Sequence, residues 1–266
     1  MTAGRTAPAI SGTKEWSSRS VNCCTGCSHG CLYCYARARA ARFRLRAAAE
    51  WTREEIRPAA VAKGYRFAEG TTMFPTTHDI TPTNLAACMT VLGKLLGSGR
   101  RVLLVSKPHR RCIGRICAEL ALFREQVLLR FTIGAVSDRL LRFWEPGAPP
   151  FAERLGCLIL AHRAGFATSV SAEPLLEAAR AAELVARVRP HVTHSIWIGK
   201  ANRLRERTAW ALPADHPEIL AVEAGQTDAA VRHVAAQLRN DPLIRWKESY
   251  KQVLGLALAT EPGLDI

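Results

Sequence analysis

Apolar residues recur along this chain in two rhythms, and the rhythms alternate. Short β-type runs occupy 71–80 (TTMFPTTHDI), 101–108 (RVLLVSKP), 127–135 (VLLRFTIGA), 166–174 (FATSVSAEP) and 192–200 (VTHSIWIGK). Between them the apolar positions fall at helical spacing. Leu85, Cys88, Met89, Leu92, Leu95 and Leu96 share one face within 84–99, and Gly97 and Gly99 then stop the helix. Phe151, Leu155, Leu158, Ile159 and His162 do the same within 149–165, and two further helices are expected within 108–126 and 173–190. A short strand is expected around 17–23.

Strand and helix alternating every ~25–35 residues are the sign of βαβ units and a parallel sheet. The fold class is therefore α/β, a partial (β/α)6 barrel with an open side, because eight units need more chain. Residues 1–15 read as a flexible N-terminal segment, 16–212 as the barrel, and 213–266 as a loop (213–225) followed by a helical cap. In such folds ligands bind at the carboxyl ends of the strands. The residues finishing each run are thus candidates: Thr77, His78 and Asp79, then Ser106 and Lys107, Thr132, Ser171 to Glu173, and Lys200.

Composition narrows the class. No stretch of about 18 apolar residues exists, so no membrane partner is expected. The opening MTAGRTAPAISGTKEW has no apolar core of a secretory signal. Nine cysteines, clustered rather than spread, suit a reducing, cytoplasmic setting and metal binding more than a disulfide scaffold. A net charge of +14 favours polyanions, with nucleic acid first among them. Arg110, Arg111, Arg203 and Arg205 follow strand ends and would face such a partner; widely spread arginines on solvated helix faces are the plainer explanation.

Five of the cysteines lie in NCCTGCSHGCLYCYARARA, residues 22–40. Cys27, Cys31 and Cys34 read C-x-x-x-C-x-x-C, a spacing that suits a loop wrapped around one corner of an iron–sulfur cluster. Three thiolates on a cubane leave one iron open. Tyr33 and Tyr35 flank the last cysteine and would shield the site. The rival pairing, Cys24-x-x-Cys27 with Cys31-x-x-Cys34, would describe a zinc-containing nucleic-acid-binding module, although its three-residue gap is short for a zinc knuckle. Cys88, Cys112, Cys117 and Cys157 sit in helical segments and read as small core residues, as Trp144 and Trp197 read as packing.

The cysteine spacing, its place near the N-terminus and the βα pattern behind it resemble the radical S-adenosylmethionine (SAM) superfamily. CSHGCLYCYAR, MFPTTHDITPTN, VLLVSKP and FWEPGAPP resemble its spore photoproduct lyase-like branch, often labelled DNA repair photolyases, over about residues 20–200. The resemblance implies a 4Fe–4S cluster on Cys27, Cys31 and Cys34. It implies SAM cleaved by one electron from a reducing partner such as flavodoxin or ferredoxin, and a hydrogen atom abstracted from substrate. Carried onto this chain, it implies cofactor-binding roles for Tyr33, Thr77, Asp79, Lys107 and Thr132, with Glu173 placed to bond the ribose or amino group of SAM. His78 stands either against SAM or substrate as a catalytic residue, or as the anchor of its own loop. A nucleic acid is the first substrate class implied, and a small metabolite or peptide the second. One departure is plain: where spore photoproduct lyases carry a hydrogen-donor cysteine, two residues before His78, this chain has Thr76. Its O–H bond is too strong for that task, which leaves Cys88, Cys112, Cys117 and Cys157 as the alternative donors, all of them in helical segments.

Overall fold

The computed structural model describes residues 10–265. Among these residues nine strands form: β1 (Arg19–Ser20), β2 (Cys24–Thr25), β3 (Glu55–Ile56), β4 (Thr71–Phe74), β5 (Arg101–Ser106), β6 (Val127–Thr132), β7 (Ala167–Ala172), β8 (Ser195–Ile198) and β9 (Ile244–Trp246). Seven make one sheet in the order β1-β4-β5-β6-β7-β8-β9, and every neighbouring pair is parallel. Chain order equals sheet order, as right-handed βαβ crossovers produce. The end strands β1 and β9 do not pair, so the barrel stays open on that side. β2 and β3 form a separate antiparallel clasp.

The helices are α1 (Tyr35–Arg42), α2 (Pro58–Ala62), α3 (Leu85–Gly97), α4 (Arg110–Glu119), α5 (Asp138–Trp144), α6 (Phe151–Arg163), α7 (Ala181–Val188), α8 (Leu204–Thr208), α9 (Pro217–Ala224), α10 (Asp228–Leu238) and α11 (Glu248–Leu254). Among the described residues no helix is long and apolar enough to cross a membrane. The strands alternate as period-two geometry requires. Val102, Leu104, Leu129, Phe131, Val170, Ile196 and Ile198 point outward into the main core shared with α3, α4, α6 and α7. Met73, Leu103 and Trp197 point inward with Trp16, whose indole meets Trp197 edge-on at 5.6 Å. α3 buries the face its spacing predicts, Leu85 through Leu96.

Three segments differ from the sequence reading. α6 buries Phe151, Arg154, Cys157, Leu158 and Ala161, so its inward face is rotated away from Leu155, Ile159 and His162. The cause is Arg154, drawn inward by a buried carboxylate. Residues 213–225 are not all loop: the His216 side chain caps Glu218 N–H, Pro217 opens α9, and Ile219 and Val222 bury themselves. The last forty residues add β9 to the sheet as well as helices. Of the segment expected to be flexible, 1–9 lie outside the described residues. Gly12–Glu15 form a 3-10 turn with Glu15 buried.

Candidate active site

The clasp of β2 and β3 encloses the cysteine loop and α1. The loop is fixed by backbone bonds from outside itself: Cys27 N–H to Trp51 C=O (2.9 Å), Leu32 N–H to Trp144 C=O (2.8 Å) and Gly147 N–H to His29 C=O (2.9 Å). Gly26 has φ +87°, and a Cβ there would lie 2.2 Å from the Arg53 carbonyl, so only glycine fits that turn. Gly147 is required for the same reason, since its Cβ would fall 2.2 Å from the Ser28 carbonyl. The segment FWEPGAPP thus clasps the cysteine loop from the far end of β6.

A cavity of about 600 Å³ opens at the carboxyl ends of the strands. Its wall includes Cys27, Cys31, Cys34 and Tyr33 from the loop, Thr77, His78 and Asp79 after β4, Lys107 after β5, Thr132 ending β6, and Glu173 after β7. Every residue singled out in the sequence for the site is therefore brought to one cavity. Burial pushes the Cys27 thiol well above its ordinary range and Cys31 up to about 12. Cys34 caps α1, its sulfur accepting Arg37 N–H at 3.4 Å. Cys24 does not line the cavity; its sulfur faces the carbonyls of Thr25 and Gly26. Cys88, Cys112, Cys117 and Cys157 are buried away from it, as are Trp144 and Trp197.

Asp79 is the electrostatic hub. One carboxylate oxygen accepts Ser106 Oγ–H (2.5 Å) and Lys107 N–H (2.7 Å), and the other accepts His29 Nδ1–H (3.0 Å) and lies 3.8 Å from Lys107 Nζ. Burial alone would raise its pKa. The charges of His29 and Lys107 and the bonds from His29 and Ser106 outweigh that, and hold the carboxyl below its usual range. For Lys107, burial opposes the charge, but Cys31, Glu145 and Asp79 together hold the ammonium protonated beyond the ordinary lysine range. A lysine cation thus reaches the cavity with its charge secured.

His78 is held by two backbone groups. Its Nε2 accepts Cys23 N–H (3.2 Å), so Nδ1 carries the proton and donates to Asp79 C=O (2.9 Å). The ring fixes its own loop. Asn22 completes that loop: its Oδ1 accepts Thr76 N–H (2.7 Å) and Thr77 N–H (2.8 Å), and its Nδ2 donates to Thr76 Oγ1 (2.7 Å). Thr132 is anchored through its carbonyl by Arg154 Nη1 (3.2 Å). Glu173 lies 3.6 Å from Lys247 Nζ, which β9 delivers and Glu15 pairs at 2.7 Å. β9, the last strand of the sheet, therefore helps set the cavity wall at Glu173.

Sequence reasoning missed Glu145 and Arg154. Both side chains are fully buried and paired at 2.5 Å, and Glu145 also accepts the Tyr33 hydroxyl proton. Their signal was a carboxylate between Trp144 and Pro146 in an otherwise apolar run. His29 was also missed; its Nε2 lies 2.8 Å from His109 Nε2. Arg203 and Arg205 pair with Glu206 and Glu223 beside a shallow groove that shares Lys200, Ala201 and Asn202 with the main cavity.

The residues fit an iron–sulfur cluster. A mononuclear zinc draws its ligand atoms within about 4 Å of one another. Among the described residues the only trio of candidate ligands with atoms within 4.8 Å of one another is Cys27, His29 and Asp79, and the latter two already bond each other. Cys27, Cys31 and Cys34 face one cavity without converging on one point, as a cubane's separate irons require. A buried guanidinium with unpartnered nitrogens, Arg37, stands beside them and wants an anion.

No protein-family model matches the chain, and no curated protein does. Solved structures do. Spore photoproduct lyase complexed with dinucleoside spore photoproduct aligns with a TM-score of 0.58 and 16% identity, covering 91% of this chain and 79% of that one. A variant of the same enzyme with bound AdoMet and dinucleoside spore photoproduct aligns with a TM-score of 0.57 and 15% identity over the same shares. At such identities the likeness speaks for architecture, and the chain has the fold of spore photoproduct lyase: a parallel, open α/β barrel with its cavity at the carboxyl ends of the strands.

Proposed function

We propose that this protein is a radical SAM enzyme that removes a hydrogen atom from a nucleic-acid substrate. The observation carrying this reading is the single cavity whose wall combines the three spaced cysteines with Tyr33, Thr77, Asp79, Lys107, Thr132 and Glu173. Cys27, Cys31 and Cys34 would hold a 4Fe–4S cluster, which supplies the electron that cleaves SAM once a protein such as flavodoxin or ferredoxin has delivered it. Lys107 offers a fixed cation to the SAM carboxylate, with Asp79 holding it in place. Glu173 offers a carboxylate to the ribose hydroxyls or the amino group, and Thr77 and Thr132 offer short polar groups. Tyr33 packs over Lys107 and keeps water from the loop. His78 acts as a positioning residue, with both ring nitrogens engaged by backbone.

The aligned lyase structures contain dinucleoside spore photoproduct, and the chain carries +14 net charge; both favour a nucleic acid. Repair of spore photoproduct itself is not favoured. Among the described residues the cavity-lining cysteines are the three of the cluster motif, and Thr76 offers no thiol. A small metabolite or peptide is the alternative substrate. Metal analysis of anaerobically purified protein tests the reading: iron with acid-labile sulfide supports it, and zinc without iron overturns it in favour of a binding module.

A further inference from the structure

We propose that Arg37 is the built-in countercharge of the cluster held by Cys27, Cys31 and Cys34, and that it raises the cluster's reduction potential. This rests on the reading of those cysteines as cluster ligands.

Arg37 lies three residues after Cys34, in the first turn of α1, and is 2% exposed. Among the described residues its guanidinium makes no hydrogen bond and no ion pair, and its Nε and Nη1 are buried without a partner. The other buried cations are provided for. Arg154 has Glu145, Lys247 has Glu15, and Lys107 has Asp79. Arg130 keeps one buried nitrogen, Nη1, without a partner, but it donates to the hydroxyls of Ser169 and Ser195 and lies over two tryptophan rings. An uncompensated cation in a protein interior is strongly unfavourable, so Arg37, whose guanidinium is the buried one left with no hydrogen bond among the described residues, stands out as aimed at something further.

Its position says at what. One face of the guanidinium stacks on Trp210, 4.1 Å from the ring centroid. Trp210 is itself pinned to the cysteine loop, its Nε1–H donating to Leu32 C=O at 3.2 Å. Toward that loop, Nη2 lies 3.8 Å from the place a Cβ on Gly30 would take. The cation is thus clamped between an indole and the loop. Its own backbone N–H donates to Cys34 Sγ at 3.4 Å, so the side chain springs from the turn that carries the third cysteine.

The electrostatics follow. A cluster with thiolate ligands is anionic, and each added electron makes it more so. A cation fixed nearby in a medium of low dielectric stabilises the reduced form more than the oxidised one. Arg37 is not among the residues lining the cavity. It acts through the cluster alone and is a positioning residue, which a redox titration can separate from catalysis.

The test uses full-length wild type, Arg37→Lys and Arg37→Met, reconstituted anaerobically with iron and sulfide, assayed for metal, and titrated with dithionite and mediators while the reduced cluster is followed by electron paramagnetic resonance. Arg37→Met should show a reduced-to-oxidised ratio about tenfold lower at a fixed potential, equal to a downward shift of about 59 mV. Arg37→Lys should stay within about twofold of wild type, because it keeps the charge. Failure of Arg37→Met to take up iron, with uptake by Arg37→Lys intact, also supports the countercharge. The proposal is overturned if Arg37→Met holds full iron at the wild-type potential, if both variants shift alike, or if both lose iron alike. Absence of iron from wild type is a separate outcome: it removes the cluster reading itself, and this inference with it.

Discussion

Replacing Glu145 by leucine tests how the cysteine loop is held. Glu145 lies outside the cavity wall, yet it joins Tyr33 of the loop to Arg154 of α6, and Arg154 in turn holds Thr132 C=O and Pro149 C=O. Glu145→Leu leaves the Arg154 guanidinium buried without its anion, a loss of about 3 to 5 kcal/mol. It also orphans the Tyr33 hydroxyl, at about 1 to 3 kcal/mol. Both groups recover part of this by relaxing, so a net loss of about 4 kcal/mol is expected. For 266 residues, an unfolding entropy of about 2.1 cal/mol/K per residue makes each kcal/mol worth about 2 °C, and the melting temperature should fall by about 8 °C. The double variant Glu145→Leu/Arg154→Met removes the stranded charge and should return to within about 2 kcal/mol of wild type. Thermal unfolding of the iron-free chains, followed by circular dichroism, measures the full cycle. A Glu145→Leu loss below about 0.5 kcal/mol, or a double variant as unstable as the two single losses summed, refutes the argument.

Further outcomes follow from the same geometry. Cys31→Ala should abolish the brown chromophore, whereas Cys24→Ala, whose sulfur faces the Thr25 and Gly26 carbonyls, should keep it; iron analysis of both decides. Lys107→Ala should weaken SAM binding by one to two decades, since a charge-assisted bond is worth about 1.5 to 3 kcal/mol, and calorimetric titration would show it. Asp79→Asn should destabilise the iron-free chain by about 3 to 5 kcal/mol at neutral pH. Because the native carboxyl titrates below its unfolded value, the wild-type advantage is full above about pH 4 and shrinks as pH falls below it; urea unfolding at pH 7 and pH 3 compares the two. Nucleic-acid affinity should drop with salt at about 0.9 log units per phosphate contact on duplex DNA. The slope should lessen in Arg39→Glu/Arg42→Glu, because those two arginines flank the 59% exposed Phe43 near the cysteine loop.

The barrel was legible because its strands are apolar runs that end in polar residues, and because parallel strands oblige helices to return between them. The grouping of Cys27, Cys31 and Cys34 was suggested by spacing, and the three line one cavity. What escaped depended on partners distant in the chain. Arg154 reads as a solvent residue in any helical pattern until Glu145 is known to lie beneath it, and the inward face of α6 was misjudged for that reason. β9 spans three residues, Ile244–Trp246, too few to carry a period, and its pairing is decided by β8. His78 could not be assigned from sequence because its two partners are backbone groups, of Cys23 and Asp79. Arg37 looked like one more arginine of a basic helix.

The measurement that bears most directly on the central claim is release of 5′-deoxyadenosine from SAM by the anaerobically reconstituted, dithionite-reduced protein, followed by chromatography with Cys31→Ala in parallel. The account predicts 5′-deoxyadenosine and methionine in equal amounts from wild type, slowly without substrate and faster with nucleic acid, and neither from Cys31→Ala. An iron-loaded, reduced wild type that leaves SAM intact with and without nucleic acid would contradict it.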